Sequence, residues 1–224
     1  MTGRINEIFE SIQGEGIYFG ERQVFARFSG CNLKCNYCDT DFESYREYQP
    51  DILLSEIKGF GGGFHSLSFT GGEPLLQKDF LKESLRLVKE NGYTTYLETN
   101  GTLAGELQEV IGDVDIVAMD IKLPSATGLE QGSWREHRDF LKVARAKEVF
   151  IKVIVTNSAK RQEFITALEV LKDAGYAGIV VLQPDSSARR EGLETTLASF
   201  KELCAKNYFS ARVIPQMHKI MGVR

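Results

Sequence analysis

The sequence contains no run of about 18 apolar residues, so no segment is built to span a bilayer as a helix. Blocks of lysine and arginine are also missing. With a net charge of −4 and a pI near 5.6, the chain does not fit a general nucleic-acid binder. The start, Met1-Thr-Gly-Arg4-Ile-Asn-Glu7, lacks the basic residues and apolar core of a secretion signal. No internal repeat, low-complexity tract or linker divides the sequence. The expectation is one domain over 1–224, cytoplasmic, without a membrane or nucleic-acid partner and with enough apolar residues for a substantial core. Histidine is scarce, at three residues, and His65, His137 and His218 lie far from one another. Cysteine is scarce too, at four, but three of the four are crowded together.

The crowded three lie in Cys31-Asn-Leu-Lys-Cys35-Asn-Tyr37-Cys38, a C-x3-C-x2-C spacing. In a reducing compartment clustered thiols bind metal or do chemistry more often than they form disulfides. A structural zinc site wants four ligands, usually as two pairs, and only three cluster here. Three thiolates suit three irons of a [4Fe–4S] cube, which four cysteines normally hold. The remaining iron is then open to a substrate or cofactor, which favours catalysis over scaffolding. Cys204 sits in the helix-like Phe200-Lys-Glu-Leu-Cys204 and reads as a small buried hydrophobe, a ligand or redox role being the alternative.

Short β-branched runs alternate with amphipathic ones. The predicted strands are 24–28, 67–70, 94–98, 115–120, 149–155, 178–183 and 211–214. The predicted helices are 50–58, 78–91, 103–111, 135–146, 160–174 and 192–206. In the fifth helix Phe164, Leu168 and Leu171 form one stripe, Asn157 or Ser158 can cap the start, and Gly175 sits at the stop. Such alternation predicts an α/β fold with a parallel sheet and crossover helices. Six or so repeats are too few for a closed eight-fold barrel of about 250 residues. A partial, open β/α barrel with about six parallel strands is expected, with functional groups at the carboxyl ends of the strands.

The unusual polar residues do fall there. The cysteine loop follows the first predicted strand, Thr70-Gly71-Gly72-Glu73-Pro74 the second, Glu98-Thr99-Asn100-Gly101 the third, Asp120-Ile121-Lys122 the fourth and Gln183-Pro184-Asp185-Ser186 the sixth. Two glycines before a proline let backbone approach a ligand, though alone they equally describe an ordinary strand-to-helix turn. Glu10-Ser-Ile12-Gln13-Gly14-Glu15-Gly16 is either a surface loop or a glycine-rich reach into a site. Arg27 interrupts the apolar Val24-Phe-Ala-Arg27-Phe; it faces outward or, facing inward, offers a bidentate fork to a carboxylate. Asp39 and Thr40 supply hard oxygens beside the third cysteine, suited to a magnesium ion that keeps several waters.

The cysteine spacing, Tyr37 and the Gly71-Gly72-Glu73-Pro74 run resemble the radical S-adenosylmethionine (SAM) superfamily. There the open iron is chelated by the methionine end of SAM, and reduction cleaves the sulfonium to a radical that abstracts hydrogen from substrate. Ile12 to Gly16, Arg27, Cys38-Asp39-Thr40, Asp120-Ile121-Lys122 and Pro215-Gln-Met-His218 further resemble the 7-carboxy-7-deazaguanine synthase family over essentially the whole chain. The resemblance implies a carbon–nitrogen lyase acting on 6-carboxy-5,6,7,8-tetrahydropterin, in queuosine and other 7-deazapurine biosynthesis. It implies a [4Fe–4S] cluster on Cys31, Cys35 and Cys38, SAM, and Mg2+ on Thr40. Substrate contacts carry over to Ile12, Gln13, Gly14, Arg27, Thr70 and Pro215, with Arg27 on the carboxylate. SAM contacts carry over to Tyr37, Gly72 and Glu73, to Asp120, Ile121 and Lys122, and to Gln183, Pro184, Asp185 and Ser186. Thr99, Asn100 and Ser125 are further candidates for SAM, and Pro215 to His218 for closing the pocket. No catalytic residue is implied beyond cluster and cofactor. A homodimer and an external flavodoxin-like or ferredoxin-like electron donor are also implied. The rival readings are a glycyl-radical activase, which shares the cluster motif, and a non-enzymatic zinc or Fe–S module. The Gln13-Gly14-Glu15-Gly16 segment and Thr40 count against the activase; iron and sulfide content separates the module.

Overall fold

The computed structural model describes residues 1–36, 38 and 44–223. Nine strands form one sheet: β1 (Gly3–Ile12), β2 (Arg22–Phe28), β3 (Arg46–Tyr48), β4 (Ser66–Gly71), β5 (Thr95–Thr99), β6 (Ile116–Asp120), β7 (Glu148–Val155), β8 (Ile179–Pro184) and β9 (Ser210–Val213). Their spatial order is β3-β1-β2-β4-β5-β6-β7-β8-β9. Every neighbouring pair from β2 to β9 is parallel, while β1 runs antiparallel to both β2 and β3. Among the described residues β3 and β9 remain unpaired edges, so the barrel is open, as the sequence predicts.

The connecting helices are α1 (Pro50–Gly59), α2 (Lys78–Glu90), α3 (Ala104–Val110), α4 (Pro124–Thr127), α5 (Trp134–Ala144), α6 (Arg161–Asp173), α7 (Arg190–Lys206) and α8 (Met217–Met221), with 3-10 turns at Pro74–Gln77 and Ile111–Asp113. Within α7, Gly192 has φ +81° and Glu191 is extended, so regular helix begins only beyond Gly192. The start of α6 differs from expectation. Its N-cap is Lys160, whose N–H donates to Ser125 Oγ (3.0 Å), while Asn157 holds the Arg189–Glu191 backbone instead. Gly175 does end α6, at φ +66° with its N–H on Lys172 O and that of Tyr176 on Leu171 O.

The sequence reading missed β1 and β3. β1 was hidden by a bulge: the register shifts between Ile5 and Glu7, which breaks the two-residue alternation. Ile5, Ile8, Phe9 and Ile12 then stand three, four and seven apart, a helical spacing on an extended chain. The segment 10–16 is accordingly not a single loop, since Glu10, Ser11 and Ile12 belong to β1. β3, at three residues, is too short for any periodicity.

Alternate residues of each strand face opposite sides. One side, including Val24, Ala26, Phe28, Leu67, Phe69, Leu97, Val117, Ile151, Val153 and Leu182, packs on the helices in the main core, where Phe164 and Phe200 stack at 4.1 Å. Burying such a side chain is worth about 1.5–3 kcal/mol. On the other, inner side a smaller cluster of Tyr96, Ile116, Ala118, Phe150, Val181 and Ile214 fills the amino-terminal end of the half-barrel. That filling leaves the carboxyl-terminal end of the inner face to polar residues.

Candidate active site

The cysteine loop leaves β2 and is anchored to the next strand's turn. Gly72 N–H donates to Phe28 O and Glu73 N–H to Gly30 O, each at 2.9 Å. Gly71 has φ +114°, and a Cβ there would lie 2.4 Å from Phe28 O. Only glycine allows that approach, so the Gly71-Gly72 pair serves to seat the cysteine loop against β4. Farther along, Asn36 N–H donates to Thr127 O (2.8 Å) and Cys38 N–H to Cys35 O (3.0 Å), which turns the chain back on itself.

Cys31, Cys35 and Cys38 line one wall of a cavity of about 190 Å³ at the carboxyl end of the sheet. Burial raises the pKa of the Cys31 and Cys35 thiols, opposed but not cancelled by the Leu33 N–H at Cys31 and by the Lys122 charge at Cys35. Among the described residues no three His, Cys, Asp or Glu side chains converge tightly enough for a single ion. The thiols instead border a shared space, which suits a polynuclear cluster bound at its corners. Cys204 is elsewhere: fully buried in the helix-side core, its thiol pushed up to about 12 by burial.

Several predicted site residues meet in this cavity: Arg27, Thr70, Gly72, Asp120, Lys122 and Asp185 share it with the thiols. An adjoining lobe is lined by Ile12, Gln13 and Gly14 together with Glu7, Phe9 and Phe25. The two lobes have Glu15, Arg27, Thr70, Glu98, Gln216 and Lys219 in common, so they form one cleft with two ends. Arg27 faces inward. Its Nε donates to Glu7 Oε1 at 2.8 Å and its guanidinium lies 5.5 Å from the Phe9 ring centre, which steers it along the cleft wall.

Other predicted residues are placed differently. Glu73 is fully buried behind the cavity wall. Its carboxylate accepts from Leu75 N–H (3.1 Å), Thr99 Oγ1 (3.0 Å) and Asn100 N–H (2.8 Å), so it braces two loops. Burial lifts its pKa to about 7 against the pull of those donors. Ile121 packs into the helix-side core, and its N–H donates to Lys152 O. Gln183 is buried, Pro184 and Pro215 are half-buried and Ser186 is exposed, and all four are absent from the cleft lining among the described residues. Ser125 Oγ donates to Glu163 on α6. Tyr37, Asp39 and Thr40 lie outside the described residues.

The inner face also carries residues that sequence reasoning did not assign. Lys152, on β7, reaches both Glu15 and Asp120 Oδ1 (3.4 Å), and Asp120 Oδ2 accepts from Lys122 (2.7 Å). Burial favours the neutral form of Glu15, but the Lys152 charge and the Gln216 amide outweigh it and leave the pKa at about 2. Burial likewise opposes the Lys152 charge, which Asp120 and Glu15 hold in place. Glu98 gathers Gln13 Nε2 (2.9 Å), Ser68 Oγ (3.3 Å) and Thr70 Oγ1 (3.1 Å). The C-terminal segment crosses the mouth. Met217 N–H donates to Gly14 O, Gln216 Nε2 to Glu15 Oε1 and Lys219 Nζ to Ser186 Oγ. A signal for Lys152 was present, since it is the single charge inside the apolar run 149–155, the same irregularity that marked Arg27, whereas Glu98 stood only among the strand-end polar residues.

Comparison with known proteins agrees with this geometry. The radical SAM superfamily profile matches residues 26–185. The 7-carboxy-7-deazaguanine synthase of Geobacter sulfurreducens is 36% identical, over 97% of this chain and 96% of that protein. The enzyme of that name from Archaeoglobus fulgidus is 34% identical over the full length of both. Among solved structures, QueE from Escherichia coli superposes with a TM-score of 0.69 at 23% identity, covering 97% of this chain and 95% of that one, a likeness of fold.

Proposed function

The chain belongs to the 7-carboxy-7-deazaguanine synthase family of the radical SAM superfamily, and from that premise we propose how its cleft divides the work of the reaction. The substrate is 6-carboxy-5,6,7,8-tetrahydropterin. The product is 7-carboxy-7-deazaguanine, formed with loss of ammonia, and it enters queuosine and other 7-deazapurine biosynthesis. The observation that carries the reading is that three thiols, the Gly72 turn and an inward arginine open onto one cleft.

Cys31, Cys35 and Cys38 hold the [4Fe–4S] cluster, which with SAM supplies the one-electron, hydrogen-abstracting chemistry. Gly72, Asp120, Lys122 and Asp185 line the lobe beside the thiols and hold SAM there. Arg27, fixed by Glu7, takes the substrate carboxylate, and Gln13, Gly14 and Thr70 shape the second lobe around the pterin. Glu98, already gathering three neutral donors, orients Thr70 and Gln13 toward it. The α8 segment closes the mouth over Gly14 and shields the site from water. Mg2+ on Thr40, an external flavodoxin-like or ferredoxin-like electron donor, a homodimeric assembly and a cytoplasmic location complete the proposal. No helix of the described residues is long and apolar enough to cross a membrane.

A host that lacks its own synthase tests this. Expression of the chain should restore queuosine to the host tRNA, measured by mass spectrometry of nucleosides, and Cys35→Ala should not. A host that stays free of queuosine while accumulating folded, iron-loaded protein would refute the substrate assignment.

A further inference from the structure

We propose that Asn100 is a positioning residue that sets the reduction potential of the cluster through an N–H···S hydrogen bond to Cys31. The inference rests on the reading that Cys31, Cys35 and Cys38 hold that cluster. Asn100 Nδ2 lies 3.8 Å from Cys31 Sγ and 2.8 Å from Asn32 Oδ1. The orientation of the amide follows from a backbone group. Thr102 N–H, which can only donate, points at Asn100 Oδ1 at 3.1 Å, so that atom is the oxygen and the NH2 faces the thiol. Thr102 Oγ1 donates to the same oxygen (2.6 Å) while accepting from Asn32 Nδ2 (2.9 Å), and the ring of bonds closes.

The main chain of Asn100 is held just as firmly. Its N–H donates to Glu73 Oε2, and its carbonyl accepts from His137 Nε2 at 3.2 Å. His137 is fully buried and, among the described residues, its Nδ1 has no partner; burial lowers its pKa to about 4, so the neutral ring with hydrogen on Nε2 is the form present. These contacts give Asn100, itself almost fully buried, a fixed direction and no freedom to turn away. They also give a use to two buried polar residues, Glu73 and His137, that do not line the cleft.

Reduction adds negative charge to a cluster and its thiolates. A donor aimed at a ligand sulfur stabilises that charge and raises the potential. Leu33 N–H supplies one such bond to Cys31 Sγ at 3.4 Å, from backbone that no side-chain change removes. Asn100 supplies the bond that side-chain chemistry controls.

The test is an anaerobic redox titration of reconstituted protein, followed by EPR, for the wild type, Asn100→Leu and Asn100→Asp. Leu removes both the donor and the acceptor; Asp keeps the acceptor for Thr102 and removes the donor. Iron and sulfide content should match the wild type, and both variants should titrate at more negative potential. Asp also brings a negative charge of its own, so Asn100→Leu decides: an unmoved potential in that variant would overturn the assignment. A second measurement compares spectra: labelled with 15N-asparagine, the wild type should show a 15N coupling in pulsed EPR of the reduced cluster beyond that from Asn32 and Asn36, which Asn100→Leu retains, and identical spectra from the two would likewise overturn the assignment. Protein that binds no iron and sulfide would sink the reading of the thiols, and this inference with it. Loaded protein with an unmoved potential would sink the role of Asn100 alone.

Discussion

Replacing Lys152 by methionine keeps the length of the side chain and deletes its charge. Lys152 sits between Glu15 and Asp120, and the three side chains are only 8%, 18% and 16% exposed. Without the cation, burial acts on Glu15 against the Gln216 amide, and Asp120 keeps only Lys122 among the described residues. Removing one partner of a buried pair costs about 3–5 kcal/mol. The depressed pKa of Glu15 gives a consistent figure: a fall from 4.5 to about 2 is worth about 3 kcal/mol at neutral pH, at about 1.4 kcal/mol per pKa step. With a urea slope of about 3 kcal/mol/M, the midpoint of the cluster-free protein should drop by about 1–2 M at pH 7. The loss should shrink with acid. Glu15 has a folded pKa below its unfolded one, so the stability it contributes is present above pH 4.5 and disappears as pH falls from 4.5 toward about 2. Adding Glu15→Gln to Lys152→Met should recover part of the loss, because one stranded charge is then removed. The assay is urea unfolding by circular dichroism for both single variants and the double. A loss under about 1 kcal/mol for Lys152→Met, with strictly additive effects in the double variant, would refute the argument.

Three further outcomes follow from the same geometry. Arg27→Ala should abolish substrate turnover while iron content and substrate-independent SAM cleavage stay as in the wild type; loss of the cluster in this variant would contradict the role given to Arg27. His137, with a folded pKa of about 4 against 6.5 unfolded, binds fewer protons folded, so its contribution is present above pH 6.5 and lost as pH falls through 6.5 toward 4. His137→Gln should therefore flatten the pH dependence of the urea midpoint in that window by up to about 3 kcal/mol, and parallel curves would refute the shift. Cys204→Ala, in the helix-side core, should cost about 1 kcal/mol in the same assay and leave iron and sulfide unchanged; a fall in iron would return Cys204 to the ligand set.

How much was legible in the sequence depended on whether a residue's meaning was local. The parallel strands announced themselves through β-branched runs, and Gly175 through a stop signal that needs no partner. The C-x3-C-x2-C spacing is local too, so the thiol wall was readable before any fold was known. β1 was not, because its bulge gave Ile5, Ile8, Phe9 and Ile12 a helical spacing. Glu73 carries over as a SAM contact from the resemblance alone, and no local signal announced that its carboxylate would accept from Thr99 and Asn100. Lys152 and Glu15, 137 residues apart, form a pair that no spacing rule reaches. Nor could the sequence say that Met217 N–H would meet Gly14 O and draw α8 across the mouth. Such contacts arise only once the open sheet is assembled, which brings Gly14 and Met217 together.

The central claim is that this one cleft performs a ring contraction, and one measurement addresses it directly. Cluster-reconstituted protein is mixed anaerobically with reductant, SAM, Mg2+ and 6-carboxy-5,6,7,8-tetrahydropterin, and the products are followed by mass. The account predicts 7-carboxy-7-deazaguanine and ammonia in equal amounts, dependent on SAM and abolished by Cys31→Ala. Steady SAM cleavage with the pterin left intact would contradict it.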